Sequence, residues 1–348
     1  MDYKRRIALL KKRIKALGLD SFLVTDETNV SYLSGFTGKD SVMLVTTGKA
    51  FFITDSRYIQ EAEESLRGVV PELATGSAYS KICDLVKASR IKRMGFESMD
   101  LPYEAALRLK KLLANVKLAP IKDAVEELRS LKETAEVEAI RKSVRLTKAV
   151  FKDLLQSLKP GATEESLAKK AEMNFLASGA RPAFDPIVSS GANSSRPHAA
   201  PGRTRIRNNS FVMIDMGCRL GGYCSDLTRT VLTGAIKDRF ADIYTTVRIA
   251  QKMAIAKVRD GARISEVDFA ARGYIHSKGF GKYFGHSVGH GVGMTIHEKP
   301  TVGRASEGFL KKGMVMTVEP AIYLPGFGGV RIEDMVLVTG KGCEILTQ

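Results

Sequence analysis

The stretch "FVMIDMGCRLGGYCSDLTRTVL", residues 211–232, places two aspartates in an otherwise apolar β pattern. Asp215 stands in the middle of the first apolar run, and Asp226 follows past Gly221 and Gly222. A hairpin through these glycines would bring both carboxylates onto one face of a sheet. For a single acid, a buried salt bridge would explain the burial, because an ionised carboxylate in such a strand must be paired or bound to a metal.

The C-terminal part of the chain repeats this arrangement. Glu319 in "MVMTVEPAIYL" and Glu333 in "GVRIEDMVLVTG" flank the turn "LPGFGG". Between the two hairpins lies "FGHSVGHGVGMTIHE", residues 284–298, with three of the five histidines: His286, His290 and His297. Salt bridges explain four acids and a histidine loop poorly, whereas two divalent cations that share carboxylate oxygens would suit them. Such a pair of metals can activate water and polarise a carbonyl, which is machinery for hydrolysis.

The elements around these motifs predict the domain organisation. Helical patterns at 134–158 and 164–178 precede the first hairpin, and patterns at 238–259 and 264–278 precede the second. The order helix, helix, hairpin therefore occurs twice, which predicts a pseudo-symmetric α+β domain. Upstream, β-rich runs such as "SFLVTD" and "SVMLVTTGKAFFITD" alternate with helical patterns such as "AYSKICDLVKAS", as in a small α/β unit. We place the two domains at 1–127 and 128–348.

Composition narrows the class of protein. The chain of 348 residues has 44% apolar and 26% charged residues, as ordinary globular proteins do. Its net charge of +16 is spread over both halves, without zinc-finger spacing or a basic patch with interleaved aromatics, so we do not expect a nucleic-acid partner. No stretch approaches 18 consecutive apolar residues, which argues against a membrane span. The four cysteines form no CxxC pair, which favours reduced thiols and a cytosolic location.

Five residues in this order resemble the metal ligands of the pita-bread metallopeptidases: Asp215, Asp226, His290, Glu319 and Glu333. The segments "HSVGHGVG" and "VEPAIY" are similar to signatures of that family, and "PAFDPIVSSGANSSRPH" resembles the approach to the active-site histidine of its proline-specific branch, prolidase and aminopeptidase P. "NVSYLSGFTG" and "FFITDSRY" resemble the N-terminal domain of that branch. The resemblance spans almost the whole chain. It implies a C-terminal pita-bread fold preceded by a creatinase-like α/β domain.

The resemblance also implies an activity. A hydroxide held between two divalent metals, with Mn expected first and Co, Zn or Fe as alternatives, would attack the carbonyl before proline in Xaa-Pro dipeptides or Xaa-Pro-Yaa peptides. His297 would stabilise the tetrahedral intermediate, His286 would contact the proline side, and His198 would line the pocket. Glu319 would also accept a proton. Arg331 would hold a carboxylate, either that of the substrate or that of a metal ligand, and Tyr323 is expected near the site.

Two alternatives to this activity remain open. Methionine aminopeptidases share the five ligands, but they usually lack such an N-terminal domain and a histidine at the position of His286. A non-catalytic, partner-binding member of the family is the second alternative, against which the complete ligand set argues. The branch often has Leu-Pro-His where this chain has "RPH", residues 196–198.

The resemblance further implies a homodimer. In it, residues 34–40 would cap the partner's cleft with an exposed Phe36, in a loop that follows an apolar strand. Local packing of Phe36 within its own domain is the other interpretation.

Overall fold

The computed structural model describes residues 1–235 and 238–348. Their contacts divide the chain into two units, an N-terminal unit, Met1–Arg129, and a C-terminal unit, Ser130–Gln348. Within the described residues, no helix combines the length and hydropathy that crossing a bilayer requires.

The N-terminal unit is built on a mixed six-stranded sheet within residues 21–121, in the order β4-β3-β2-β1-β5-β6. Its elements, in chain order, are α1 (Tyr3–Ala16), β1 (Ser21–Val24), α2 (Glu27–Ser34), β2 (Val42–Thr46), β3 (Ala50–Thr54), α3 (Ile59–Ser65), β4 (Val70–Leu73), α4 (Ala78–Ala88), β5 (Arg93–Glu97), α5 (Tyr103–Leu112), β6 (Lys117–Ile121) and α6 (Glu126–Ser130). Strand β1 pairs antiparallel with β2 and parallel with β5. Apolar side chains of α4 and α5, including Ile82, Val86 and Leu109, pack with strand residues such as Leu23 and Leu44 in one core.

The segment around Phe36 differs from the sequence-based expectation. The residues before it form helix α2, not a strand, because Asp26 caps the helix through the backbone N–H of Asn29 and Gly35 ends it in the left-handed conformation. The Phe36 side chain is 3% exposed and packs edge-on against Phe52 with ring centroids 5.0 Å apart. The expectation of an exposed Phe36 was wrong, since its ring belongs to the core of its own unit.

The C-terminal unit contains two helix pairs and four antiparallel sheets within its described residues. Its elements are α7 (Thr134–Ser157), α8 (Glu164–Ala177), β7 (Arg181–Pro182), β8 (Ile187–Ser190), β9 (Phe211–Met216), β10 (Cys218–Leu220), β11 (Tyr223–Cys224), β12 (Leu227–Leu232), α9 (Asp238–Ile255), α10 (Ile264–Ser277), β13 (Gly289–Gly291), β14 (Glu298–Val302), β15 (Val315–Val318), β16 (Ala321–Leu324), β17 (Gly328–Arg331), β18 (Asp334–Val338) and β19 (Cys343–Ile345).

Each helix pair packs with one of the two hairpins. Leu154 of α7 and Phe175 of α8 share a core with Val212 and Ile214 of β9. In the second block, residues of α9 and α10 such as Val247 share a core with strand residues of β15 and β18. The α+β fold with two similar blocks, predicted from the repeated order of elements, is confirmed. The sheets bring their acidic residues to one place.

Candidate metal centre

Asp215 lies on the central strand of the sheet β12-β9-β8, where it is paired with Thr228 on one side and Ile187 on the other. Asp215 is 8% exposed. Arg331 Nη2 donates a hydrogen bond to Asp215 Oδ2 at 2.5 Å, whereas the buried Asp215 Oδ1 has no hydrogen-bond partner. A buried carboxylate oxygen without a donor is costly, so Oδ1 lacks one bonding partner that the site should supply.

Asp226 reaches the same place because the first hairpin is irregular. The sequence predicts continuous strands, but the first strand is interrupted at Gly217. A Cβ added at Gly217 would lie 2.0 Å from the backbone oxygen of Ser225. Only glycine allows this close approach of two backbones. Ser225 N donates to Cys218 O at 2.9 Å, and Asp226 follows directly, just before β12 begins. The Asp226 side chain is consequently buried beside the end of β9.

The second hairpin contributes Glu319, directly after β15, and Glu333, directly before β18. Thr228 joins this hairpin to the first. Its hydroxyl donates to Glu333 Oε2 at 2.8 Å, and its carbonyl accepts from Glu333 N at 3.1 Å. Glu333 is 1% exposed, so these bonds fix a buried carboxylate beside the first hairpin.

His290 on β13 faces these acids. Its Nε2 lies 3.3 Å from Glu319 Oε1 and 3.6 Å from Asp226 Oδ2. Its Nδ1 lies 3.1 Å from the carbonyl of Gly291, which can only accept, so the Nδ1–H donates there and the neutral ring keeps Nε2 as an acceptor. Asp226, His290 and Glu333 each offer one ligand atom within 4.8 Å of the other two. Burial lowers the pKa of His290 to about 4, which keeps the ring neutral and able to bind a metal.

The acids of the cluster resist ionisation. Burial, with added repulsion from neighbouring carboxylates, raises the pKa of Asp226 and of Glu333 well above the usual range. Burial also raises the pKa of Glu319 to about 7, although the Arg331 guanidinium opposes the rise. When ionised, the carboxylates of the cluster would carry more negative charge than the single guanidinium of Arg331 can balance. Divalent cations would remove the repulsion, and the unpartnered Oδ1 of Asp215 offers them an additional oxygen, so the residues fit such ions.

A chain of hydrogen bonds leads from the acids to His286. Arg331 Nη1 donates to the Tyr323 hydroxyl at 2.6 Å, and that hydroxyl lies 3.3 Å from His286 Nε2. His286 Nδ1 lies 2.7 Å from the Ser287 carbonyl and donates to it, so Nε2 accepts from Tyr323. Arg331 also donates through Nε to Thr228 Oγ1 at 3.2 Å. Its guanidinium is thus engaged by protein groups, which favours a pair with the carboxylate of Asp215 over the substrate's carboxylate.

His297 and His198 border the cluster without entering it. The His297 ring packs edge-on against the His290 ring, with centroids 4.3 Å apart, and the residue is exposed. Partial burial of the ring, followed by the charge of His198, lowers the pKa of His297. Arg331 Nη1 donates at 3.1 Å to the carbonyl of Pro197, the residue before His198. Both histidines are exposed and lie close to the cluster, so they are accessible to a ligand.

Two threonines that the sequence analysis did not identify orient the cluster. Thr228 holds Glu333, and Thr317 Oγ1 accepts from His290 N at 3.1 Å and donates to Glu319 Oε1 at 3.3 Å. Each threonine lies on the strand that adjoins a cluster acid, two residues from that acid. A search for hydroxyl residues at that spacing would have found both, because alternate residues of a strand share one face.

Two pseudo-symmetric blocks with acids around one imidazole are the architecture of a pita-bread metalloenzyme. Comparison with protein-family models agrees with it: the metallopeptidase family M24 matches residues 138–340, and the Creatinase/Prolidase N-terminal domain matches residues 6–131. The chain belongs to metallopeptidase family M24. It is therefore a metallopeptidase, and membership of this family implies divalent metal ions.

Relatives and solved structures match the chain over nearly its whole length. An Xaa-Pro dipeptidase of Pyrococcus horikoshii is 35% identical over 335 residues, which are 95% of this chain and 93% of that protein. The structure of an Xaa-Pro dipeptidase from Bacillus anthracis superposes with a TM-score of 0.96 at 35% identity, covering 99% of this chain and 98% of that one. An X-Pro aminopeptidase structure from Thermotoga maritima has a TM-score of 0.89 at 33% identity and 97% coverage of both chains.

Proposed function

We propose that this protein hydrolyses the peptide bond between an N-terminal residue and proline, as an Xaa-Pro dipeptidase with divalent metal cofactors. One observation carries the proposal. The cluster of Asp226, His290 and Glu333, with ligand atoms within 4.8 Å of one another, lies inside the segment that matches a metallopeptidase family. Proline specificity is supported by relatives that are named Xaa-Pro dipeptidases and match both the catalytic and the N-terminal domain.

We assign the metal ligands to the five residues that the sequence predicts: Asp215, Asp226, His290, Glu319 and Glu333. The charge of two divalent cations balances that of the four carboxylates. Mn is the expected metal, since the oxygen-rich ligand set with one imidazole suits it. When bound, the two cations supply an activated water and polarise the scissile carbonyl. The assigned division of the chain places all five ligands in the catalytic domain, residues 128–348.

The chain's own groups would then act around the reacting carbonyl. Glu319 Oε1, held by the Thr317 hydroxyl, accepts a proton from the attacking water. The His297 ring, placed against His290, donates a hydrogen bond to the developing oxyanion. His286, held by Tyr323, faces the proline side, and His198 forms a wall of the pocket. Arg331 orients Asp215 through its Nη2–H.

Peptide length, assembly and location belong to the proposal as well. The dipeptidase and the aminopeptidase among the similar structures differ in name but have similar TM-scores, so both Xaa-Pro dipeptides and Xaa-Pro-Yaa peptides are candidate substrates.

We propose a homodimer, for which light scattering should give about twice the mass of 38.0 kDa. Phe36 is buried and takes no part in a cap. The cysteines of the described residues are all free, which supports the expected cytosolic location.

A hydrolysis panel tests the proposal. Purified protein is loaded with Mn, Co, Zn or Fe and given Ala-Pro, Ala-Pro-Ala and Met-Ala. We expect cleavage of Ala-Pro with at least one metal, loss of activity with chelator, and recovery when the metal is returned. Equal or faster cleavage of Met-Ala would indicate a methionine aminopeptidase, and no cleavage of any peptide by protein with bound metal would indicate the non-catalytic alternative.

A further inference from the structure

Arg272 on α10 is a partly buried guanidinium that the proposed chemistry does not use. It lies one helical turn after Asp268, whose side chain is 0% exposed. Arg272 Nε donates to Asp268 Oδ2 at 2.6 Å, and Nη2 donates to Asp268 Oδ1 at 2.8 Å. This two-point pairing fixes the plane of the guanidinium and directs its other donors away from the helix.

The other donors bind the segment that precedes the metal-facing histidine, residues 284–288. Arg272 Nη1 donates to the Phe284 carbonyl at 2.8 Å, and Nη2 donates to the His286 carbonyl at 2.7 Å. Asp268 Oδ1 accepts from Val288 N at 3.1 Å. Residues 284–288 have no helix or strand of their own, so these three bonds replace the regular ladder that would otherwise hold the backbone.

The same pair also contacts the surroundings of the His286 ring. The Arg272 guanidinium lies 4.2 Å from the Phe284 ring centroid, and the Phe284 ring packs edge-on against His286 with centroids 5.1 Å apart. A cavity of about 470 Å³ opens here, and its wall includes Arg272, His286 and Ser287. A change in the position of residues 284–288 would therefore move the imidazole and alter the shape of the cavity together.

A purely stabilising role explains this arrangement poorly. A buried ion pair can often be replaced by apolar residues of similar volume without loss of stability. An apolar pair could not hold two carbonyls and one N–H, and lysine lacks the planar fork that divides its donors between a carboxylate and two carbonyls. We propose that Asp268 and Arg272 are positioning residues for His286, which hold residues 284–288 so that the imidazole receives the proline side of the substrate. This inference rests on the proposed function of His286.

The test compares Arg272→Met and Arg272→Lys with the control Arg141→Met. Arg141 also makes ion pairs with acids of the C-terminal unit, Glu138 and Glu344, and the proposed chemistry does not involve it. For Arg272→Met we expect KM for Ala-Pro to rise about tenfold while kcat and bound Mn change less than twofold, as for a lost ground-state contact. Arg272→Lys should recover part of the affinity, and Arg141→Met should leave KM unchanged. An unchanged KM in both Arg272 variants would overturn the inference.

Two further measurements separate positioning from structure. If Arg272 acts through His286, the double variant with His286→Ala should have the KM of His286→Ala alone, and additive effects would contradict this. In metal-free protein, hydrogen exchange of residues 284–290 should be faster in Arg272→Met than in Arg141→Met, and equal rates would also overturn the inference. Should Arg272→Met fail to fold, the same comparisons with Arg272→Lys decide. If the wild type cleaves no Xaa-Pro peptide, the proposed function fails, whereas the exchange rates still test the role of the pair.

Discussion

Thr228 couples the two hairpins because its backbone pairs with the first and its side chain binds an acid of the second. It is the strand partner of Asp215, its hydroxyl accepts from Arg331 and donates to Glu333, and its carbonyl accepts from the Glu333 N–H. No other residue type supplies a donor and two acceptor lone pairs in so little volume, serine excepted. The positions of the acids thus depend on Thr228, an uncharged residue.

At the residue scale, the assigned ligands and His297 should respond differently to substitution. Asp226→Asn and Glu333→Gln keep the shape of the side chain but remove a charge and place N–H donors in the cluster, so bound Mn should fall below half of the wild-type value. His297→Ala removes a ring that stands outside the cluster and should retain the metal while kcat falls about 100-fold. Elemental analysis and steady-state kinetics on the same samples measure both quantities. A metal-free His297→Ala protein would show that its assigned role is wrong.

The cluster could be located from the sequence because it depends on local patterns. Asp215 and Asp226 interrupt apolar runs on either side of a glycine pair, and Glu319 and Glu333 do the same around "LPGFGG". The contact of Arg272 with the backbone at Phe284 and His286 leaves no such pattern, since it joins a helix to an irregular segment. Burial of Phe36 likewise depends on Phe52 and Tyr58, which fold against it from elsewhere in the chain.

At the element scale, the two strands of the N-terminal sheet that the sequence analysis did not predict are its edges. Strands β4, "VPEL", and β6, "KLAPI", each contain a proline, a residue that is disfavoured in a central strand. An edge strand tolerates proline because one side of it needs no backbone donors, and proline there also discourages pairing with another sheet. The strands predicted correctly, such as β2 and β3, are interior and almost entirely apolar. Within this sheet, the position of a strand, which only the assembled fold defines, separates the two groups.

Gly217 determines how closely the two parts of the first hairpin approach. A Cβ at Gly217 would lie 2.0 Å from the Ser225 oxygen, so Gly217→Ala must shift backbone beside Asp226. We expect a loss of roughly 1–3 kcal/mol in the free energy of unfolding, as for overpacking without room to relax, together with weaker Mn binding.

Gly273→Ala is the matched control for Gly217→Ala. Gly273 lies within α10, is exposed, and has no atom within 4 Å of its added Cβ, so alanine should stabilise the helix by up to about 1 kcal/mol. Denaturant unfolding and metal titration of both variants measure the contrast. Equal stability of the two would mean that the hairpin adjusts freely at Gly217 and does not fix Asp226.

At the scale of the whole molecule, acidic side chains gather in the interior of the C-terminal unit, where water solvates them least. The protein carries a net charge of +16, yet its proposed site gathers four acids and only one arginine within the interior of the C-terminal unit. The N-terminal unit supplies none of the five assigned ligands. Metal binding should therefore stabilise the C-terminal unit specifically, because cations displace protons from carboxyls that burial and mutual repulsion otherwise keep protonated.

Metal removal tests this coupling without a substrate. With free Mn at about 100 times its dissociation constant, binding to the folded state adds about 2.7 kcal/mol, which for a unit of this size raises Tm by roughly 5–10 °C over chelator-treated protein. Protons compete with cations for the same carboxylate oxygens, so the increase should shrink as the pH falls through the weakly acidic range. Scanning calorimetry with Mn or with chelator at several pH values measures it, and Asp226→Asn serves as the control because its site lacks one assigned ligand. A Tm that rises equally in Asp226→Asn would show that Mn stabilises the protein somewhere other than at this cluster.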